Sequence, residues 1–157
     1  MTKMKNKELV NKFIDVINKR NLAVLDELLA ADFILHGGSM GEIHGIEDFR
    51  RVNSEAGGAV AFPDFHITVQ DMIVEGNKTV VRYTNAATNT GPFMSFPPTS
   101  KRVSWAAVAV YRIENGKIAE IWLTEDIFRL MQQLGVTQHY LSNRNRHTIP
   151  TQRKLTL

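Results

Sequence analysis

Asp126 and Trp122 are the residues whose types and spacing could most readily do chemistry in this chain. They lie four positions apart, so they share a face if the segment is a strand and also if a helix begins early. A carboxylate that apolar neighbours shield from water is a better base for a proton bound to carbon. The pattern predicts acid/base chemistry at Asp126 beside an apolar ligand, although an aspartate at a strand-to-helix junction could simply cap the helix.

The segment that must position this pair runs over residues 118–135. Alternation of apolar and polar residues over 118–124 predicts a strand, and Asn115-Gly116 before it is typical of a two-residue hairpin turn. From about Asp126 the apolar residues recur at helical spacing, and Gly135 is a natural end for that helix. Glu125, as the neighbour of Asp126, is expected to face the surface.

The rest of the chain predicts an α+β domain. Amphipathic or capped helices are expected at about residues 7–18, 21–29 and 45–57, and alternating strands at 65–74, 79–88 and 103–113. Helices followed by hairpin-linked strands predict a curved antiparallel sheet wrapped by about three N-terminal helices. Such a sheet forms a cone-shaped half-barrel, and the mouth of its central cavity is a usual place for a ligand.

Composition limits the class of protein. A chain of 157 residues, 43% of them hydrophobic, is long enough for one core, so we expect one domain over residues 1–140 and an extension over 141–157. The absence of cysteine excludes disulfides and thiolate sites and fits a cytoplasmic protein. We find no membrane segment and no His and carboxylate spacing typical of a metal site.

The net charge of +3 is concentrated at the two ends of the chain. Residues 1–12 and 143–157 together hold eight basic residues and one acidic residue, which leaves 11 basic and 15 acidic residues, or −4, for residues 13–142. Nucleic-acid binding needs a basic surface on the fold itself. We therefore expect no nucleic-acid partner. The basic C-terminal end is expected to be solvated or in contact with another subunit. A nucleic-acid or partner-binding role for the two basic ends is a third alternative function.

A turn-rich loop at 91–102 is long enough to cover a cavity. Its large apolar side chains predict a lid over a ring-containing ligand, and two strand aromatics are either core or cavity wall. Arg82 and Glu120, both mid-strand, are expected to be paired or exposed, although Arg82 could bind a substrate oxygen. The predicted substrate-binding residues are Trp122, Trp105, Tyr83, Arg82, Phe93, Met94 and Phe96.

Six fragments follow one another in the chain: Phe62-Pro63-Asp64, the stretch 73–82, Thr88-Asn89-Thr90-Gly91, Pro97-Pro98-Thr99, the stretch 115–118, and Trp122 with Asp126 and Gln133-Leu134-Gly135. In this order they resemble the SnoaL-like polyketide (ester) cyclases of the nuclear-transport-factor-two-like superfamily, over roughly residues 8–135. The resemblance implies a half-barrel with a deep cavity. It also implies a homodimer that pairs through the outer face of the sheet.

The resemblance further implies an intramolecular aldol ring closure without metal or organic cofactor, with Asp126 as general acid/base. Relatives commonly have histidine at the position of Asn89, and asparagine can donate a hydrogen bond but cannot carry a proton at neutral pH. His36 follows an apolar run and could reach the same cavity. The predicted catalytic residues are therefore Asp126, with His36 or Asn89 polarising the substrate oxygen.

Two functions from different classes follow from the sequence. The first is a cofactor-independent cyclase, or a related lyase or isomerase, that acts on an apolar carbonyl compound. The second is a non-catalytic domain that binds an apolar small molecule in the same cavity, and Asn89 in place of histidine favours it.

Overall fold

The computed structural model describes residues 2–54 and 58–137. Within these residues four α-helices and six strands are present. The helices are α1 (Thr2–Lys19), α2 (Leu25–Leu28), α3 (Gly45–Asn53) and α4 (Ile127–Leu134). The strands are β1 (Leu29–Gly37), β2 (Ile43–His44), β3 (His66–Glu75), β4 (Lys78–Thr88), β5 (Arg102–Glu114) and β6 (Lys117–Glu125). The predicted extension over 141–157 lies outside the described residues.

The strands form one open sheet in the order β2-β1-β6-β5-β4-β3. The predicted α+β half-barrel is confirmed, but the sheet is mixed because β1 runs parallel to β6. The remaining neighbours are antiparallel. Two-residue turns join β3 to β4 and β5 to β6 and require antiparallel pairing there, whereas no turn joins β1 to β6.

The β5–β6 hairpin is built as its turn residues predict. Glu114 pairs with Lys117, and Asn115 and Gly116 both have positive φ, at 50° and 76°. Two successive positive φ angles define the turn that matches the twist of a hairpin. This turn sets the pairing at the start of β6.

A β-bulge then changes the phase of β6. Ile113 pairs with Ile118, whereas Arg112 pairs with Glu120, so Ala119 is an extra residue on β6. Because successive strand residues point to opposite faces, one extra residue exchanges the two faces for everything that follows. Ile118 faces the core, and after the bulge the odd-numbered residues face it.

The core consists of two clusters on the concave side of the sheet. In the larger one, the Phe13 ring of α1 lies 5.8 Å from the Phe49 ring of α3 and 6.0 Å from the Tyr111 ring of β5. In the smaller one, α4 places Leu130 and Leu134 with Trp105 and Phe62. No helix among the described residues has an apolar stretch long enough to cross a bilayer.

Candidate functional site

A cavity of about 450 Å³ lies on the concave side of the sheet, between α1, α3, the strands and the loops at 59–62 and 92–94. Its volume is in the range of small-molecule sites. Large apolar side chains make most of its wall, among them Phe49, Phe62, Phe65, Trp105, Leu123 and Leu130. An apolar, ring-containing molecule of moderate size suits such a wall.

Glu125 is the only acidic residue among the described residues that line this cavity. Its Oε1 accepts hydrogen bonds from Trp105 Nε1 at 2.8 Å and from Asn85 Nδ2 at 3.2 Å. Its Oε2 accepts one from the backbone N–H of Ser39 at 2.8 Å. A carboxylate has about four lone-pair positions, so three donors fix its orientation and leave it capacity to accept a further proton.

The Glu125 carboxylate lies in the cavity because of the bulge at Ala119 and the turn after β1. Downstream of the bulge, Ile121, Leu123 and Glu125 share the concave face. The turn brings the Ser39 N–H to the carboxylate through Gly38, which has φ +71°. A Cβ on Gly38 would lie 2.7 Å from Leu123 Cδ2 and 2.9 Å from Glu125 Oε2, so any other residue would displace these side chains and also strain the backbone at this positive φ.

Asp126 lies outside the cavity, contrary to the predicted position of its side chain. It is exposed, and its Oδ1 accepts a hydrogen bond from Arg129 N at 3.0 Å at the start of α4. The alternative stated from the sequence, a helix cap, is therefore confirmed. The prediction placed Asp126 with Trp122 on a cavity-facing side of the segment, but after the bulge the odd-numbered residues face the cavity.

Trp122 and His36 lie on the outer face of the sheet and not in the cavity. The bulge accounts for Trp122 on β6, whereas His36 on β1 alternates with the buried residues Phe33 and Leu35. Their rings stack with centroids 5.5 Å apart, and Lys78 Nζ lies 5.8 Å from the centre of the Trp122 ring. Trp122 is 38% exposed. Neither residue is in a position to contact a molecule in the cavity.

His36 is instead part of an ionic cluster. Its Nε2 lies 2.8 Å from Glu120 Oε1 and its Nδ1 lies 3.2 Å from Glu42 Oε2. The other oxygen of Glu120 accepts from Arg112 Nε at 2.8 Å. The hydrogen bond to Glu120, and to a lesser extent the one to Glu42, raises the pKa of His36 above its ordinary value despite partial burial. The same contacts lower the pKa of both glutamates.

Asn89 is 1% exposed and organises the loop between β4 and β5. Its Nδ2 donates to the carbonyl oxygens of Gly91 at 2.8 Å and Ala61 at 3.3 Å. Its Oδ1 accepts from Thr99 N at 2.8 Å and Thr99 Oγ1 at 3.0 Å. The amide is fully occupied by these four contacts, so it has no group free to polarise a substrate.

The predicted substrate-binding residues divide between the two faces of the sheet. Four of them line the cavity: Tyr83, Trp105, Phe93 and Met94. Phe96 packs against the smaller core cluster without lining the cavity, and Arg82 is exposed on the outer face. The contact of Tyr83, Trp105, Phe93 and Met94 with a substrate stays a prediction.

Two buried tyrosines add polar groups to the apolar wall. Burial, and then the neighbouring Tyr111 and Glu125, raise the pKa of Tyr83 well above its ordinary value. Burial also raises the pKa of Tyr111. Both phenols therefore stay protonated at neutral pH and can donate hydrogen bonds.

Glu125 is the site residue that the sequence interpretation missed. The sequence contains one indication of this position. The alternate residues of β6 that include Glu125 also include the apolar Ile121 and Leu123, whereas the intervening residues include the polar Glu120 and Thr124. No group of three His, Cys, Asp or Glu residues in the described part of the chain could hold a metal ion.

A curved, open, mixed sheet of six strands with helices packed on its concave side is the architecture of the nuclear-transport-factor-two-like class of fold. The family model for the SnoaL-like polyketide cyclases matches residues 7–134. The chain therefore belongs to the SnoaL-like polyketide cyclase family. None of the curated proteins compared with the chain matches it significantly.

Solved structures agree with this assignment. TsrD from Streptomyces laurentii is 27% identical, with 85% of this chain and 96% of TsrD covered and a TM-score of 0.74. AclR from Streptomyces galilaeus, described as a candidate hydroxylase, is 28% identical, with coverages of 85% and 87% and a TM-score of 0.73. IdmH from Streptomyces antibioticus, a candidate polyketide cyclase, is 26% identical, with coverages of 83% and 99% and a TM-score of 0.71.

Proposed function

We propose that this protein catalyses enolisation of an apolar carbonyl compound and the intramolecular aldol ring closure that the enolate permits, with Glu125 as the general acid/base. The observation that carries the proposal is the Glu125 carboxylate, held by three N–H donors at the wall of a mostly apolar cavity. Membership of a cyclase family supports the reaction class. Because the same fold supports different reactions, the reaction has to be inferred from the residues of the site.

The reaction requires one base that removes a proton from the substrate and later returns it. Glu125 removes a proton from the carbon next to the substrate carbonyl, and the electron pair of that C–H bond forms a C=C bond as the carbonyl becomes an enolate. The enolate carbon then attacks a second carbonyl carbon of the same molecule, and a C–C bond forms. Protonated Glu125 returns its proton to the new alkoxide, so the enzyme ends the cycle as it began.

The family resemblance would give this role to Asp126, but its position favours Glu125. The Asp126 side chain is exposed and engaged at the N-terminus of α4. A general base must come within hydrogen-bond reach of the proton it removes. Glu125 meets that condition for a molecule in the cavity, and Asp126 does not.

The test measures exchange of carbon-bound protons. The bicyclic ketone 2-tetralone has acidic protons next to its carbonyl and is small enough for the cavity, so the protein in deuterated buffer should accelerate their replacement by deuterium, followed by NMR. Glu125→Gln keeps the size of the side chain and removes the base. We expect it to lose at least about 100-fold of the protein-dependent exchange rate. An unchanged rate in Glu125→Gln would contradict the proposal.

A non-catalytic binding domain is the second candidate function. It is favoured by the three hydrogen bonds to the Glu125 carboxylate, because they hold the group as a polar end of the cavity even without any proton transfer. In that case 2-tetralone would raise the melting temperature of the protein, since a ligand that binds only the folded state stabilises it, but no exchange would follow.

A further inference from the structure

Tyr83 and Glu125 lie in one row across the concave face of the sheet. Tyr83 on β4 pairs with Ala107 on β5, and Ala107 pairs with Glu125 on β6. Neighbouring strands are about 4.8 Å apart, so the two Cα atoms are separated by roughly 10 Å. Ala107 carries only a methyl group between them. The phenol of Tyr83 and the carboxylate of Glu125 can therefore contact the same bound molecule from two sides.

The Tyr83 hydroxyl has no hydrogen-bond partner among the described residues, although the side chain is only 5% exposed. Buried tyrosine hydroxyls normally have a partner. The indole N–H of Trp105, which lines the same cavity, has one in Glu125. Tyr83 therefore lines the cavity with a hydroxyl group that can donate a hydrogen bond to a bound molecule.

The charge of its surroundings keeps this donor protonated. Burial and the negative charge of Glu125 both oppose ionisation of the phenol. A phenol and a carboxylate differ in acidity by their own chemistry, and the burial of Tyr83 widens this difference. The pair has one group that takes a proton and one that donates a hydrogen bond.

We propose that Tyr83 is the hydrogen-bond donor to the enolate oxygen that forms when Glu125 removes the substrate proton. This role rests on the proposed function, and it replaces the one predicted for His36 or Asn89, which lie elsewhere. The phenol does not give up its proton. It donates a hydrogen bond that strengthens as negative charge develops on the substrate oxygen, which lowers the energy of the transition state more than that of the bound ketone.

The proposal also narrows the substrate class. A substrate must present a carbonyl oxygen to Tyr83 and, on an adjacent carbon, a hydrogen to Glu125. Its remaining surface must be apolar and fit the cavity of about 450 Å³. A compact compound of two or three rings with an enolisable ketone meets these conditions.

The experiment compares 2-naphthol with naphthalene as ligands of the wild type, Tyr83→Phe and Tyr111→Phe. 2-Naphthol is a planar mimic of the enol of 2-tetralone, and naphthalene has the same rings without the oxygen. Tyr111→Phe is the matched variant, because Tyr111 is also a buried cavity tyrosine with no hydrogen-bond partner among the described residues. Unfolding midpoints of the variants show whether each is folded.

We expect Tyr83→Phe to bind 2-naphthol about 5- to 10-fold more weakly than the wild type does, with naphthalene binding changed less than about twofold. Its 2-tetralone exchange should fall about 10- to 100-fold. Tyr111→Phe should affect 2-naphthol less than Tyr83→Phe does. This pattern would establish Tyr83 as the donor.

Three outcomes would overturn the assignment of Tyr83. These are equal 2-naphthol affinity in the wild type and Tyr83→Phe, equal weakening of both ligands, and a larger effect of Tyr111→Phe. Failure of the proposed function has a different signature, since it removes 2-tetralone exchange from the wild type. The comparison of 2-naphthol and naphthalene binding needs no turnover, so it tests the role of Tyr83 whether or not the wild type catalyses exchange.

Discussion

Glu125 and Asp126 are adjacent carboxylates with opposite surroundings. Glu125 contacts an indole, an amide and a backbone N–H at the wall of the cavity, while Asp126 is exposed and caps α4. Their chemistry differs because one strand residue faces the cavity and the next turns away from it. The residue that a resemblance marks as catalytic is therefore one position from the residue that the geometry supports.

Asn89 shows how a position that is catalytic by analogy can be structural. Its amide joins the loop at 61 to the turns at 91 and 99 through four hydrogen bonds. We expect Asn89→Ala to lower the free energy of unfolding by about 2–4 kcal/mol, because it leaves buried donors and acceptors unpaired. Urea unfolding measures this change.

The control for Asn89→Ala is Asn21→Ala. Asn21 is exposed and makes no side-chain hydrogen bond at the start of its helical turn. Its replacement should cost less than about 0.5 kcal/mol. Equal costs for the two variants would contradict the structural role of Asn89.

At the scale of elements, turns and helix ends were predictable from the sequence, but the bulge that exchanges the two faces of β6 was not. Asn115-Gly116 and Gly135 fix backbone angles by their own chemistry, and the structure has a hairpin turn and a left-handed helix cap at those positions. The bulge at Ala119 has no such residue signature, because it is set by pairing with β5 and by burial. One unrecognised extra residue was enough to misplace Asp126, Trp122 and Glu125.

The parallel pairing of β1 with β6 was unpredictable for a similar reason. The two strands are far apart in the chain, and their register depends on packing rather than on a turn. The contact between the turn after β1 and Glu125 could not be foreseen without that register. The sequence thus predicts the cone better than it predicts which side chains enter the cavity.

The turn at Gly38 provides a test of this contact. Gly38→Ala should destabilise the protein by more than Gly116→Ala, because both glycines have similar positive φ, at +71° and +76°, but only at Gly38 would the added Cβ meet other atoms. The strain of a positive φ alone costs about 1–2 kcal/mol. Thermal unfolding of both variants measures the difference, and equal losses would contradict the close approach of this turn to Leu123 and Glu125.

At the scale of the molecule, pH should act on stability through the ionic cluster on the outer face. The pKa of His36 is raised in the folded state above its ordinary value of 6.5, so the cluster stabilises the fold fully below that pH. This contribution is lost as the pH rises through the raised value. Glu42 and Glu120, whose pKa is lowered, lose theirs only at acid pH.

We therefore expect the free energy of unfolding of the wild type, relative to His36→Gln, to decrease between about pH 6 and pH 8. Urea unfolding across this range measures the decrease. His66→Gln, at an exposed position on β3 that contacts neither Glu42 nor Glu120, is the control for replacing an imidazole outside the ionic cluster. A constant difference between the wild type and His36→Gln would contradict the proposed linkage.

The most direct test of the central claim compares Glu125→Gln with Asp126→Asn in the 2-tetralone exchange assay. Both changes replace a carboxylate with an amide of the same shape, and asparagine can still cap α4. We predict that Glu125→Gln loses at least about 100-fold of the protein-dependent rate, while Asp126→Asn stays within about twofold of the wild type. Loss of exchange in Asp126→Asn together with a normal rate in Glu125→Gln would contradict the assignment of Glu125 as the base.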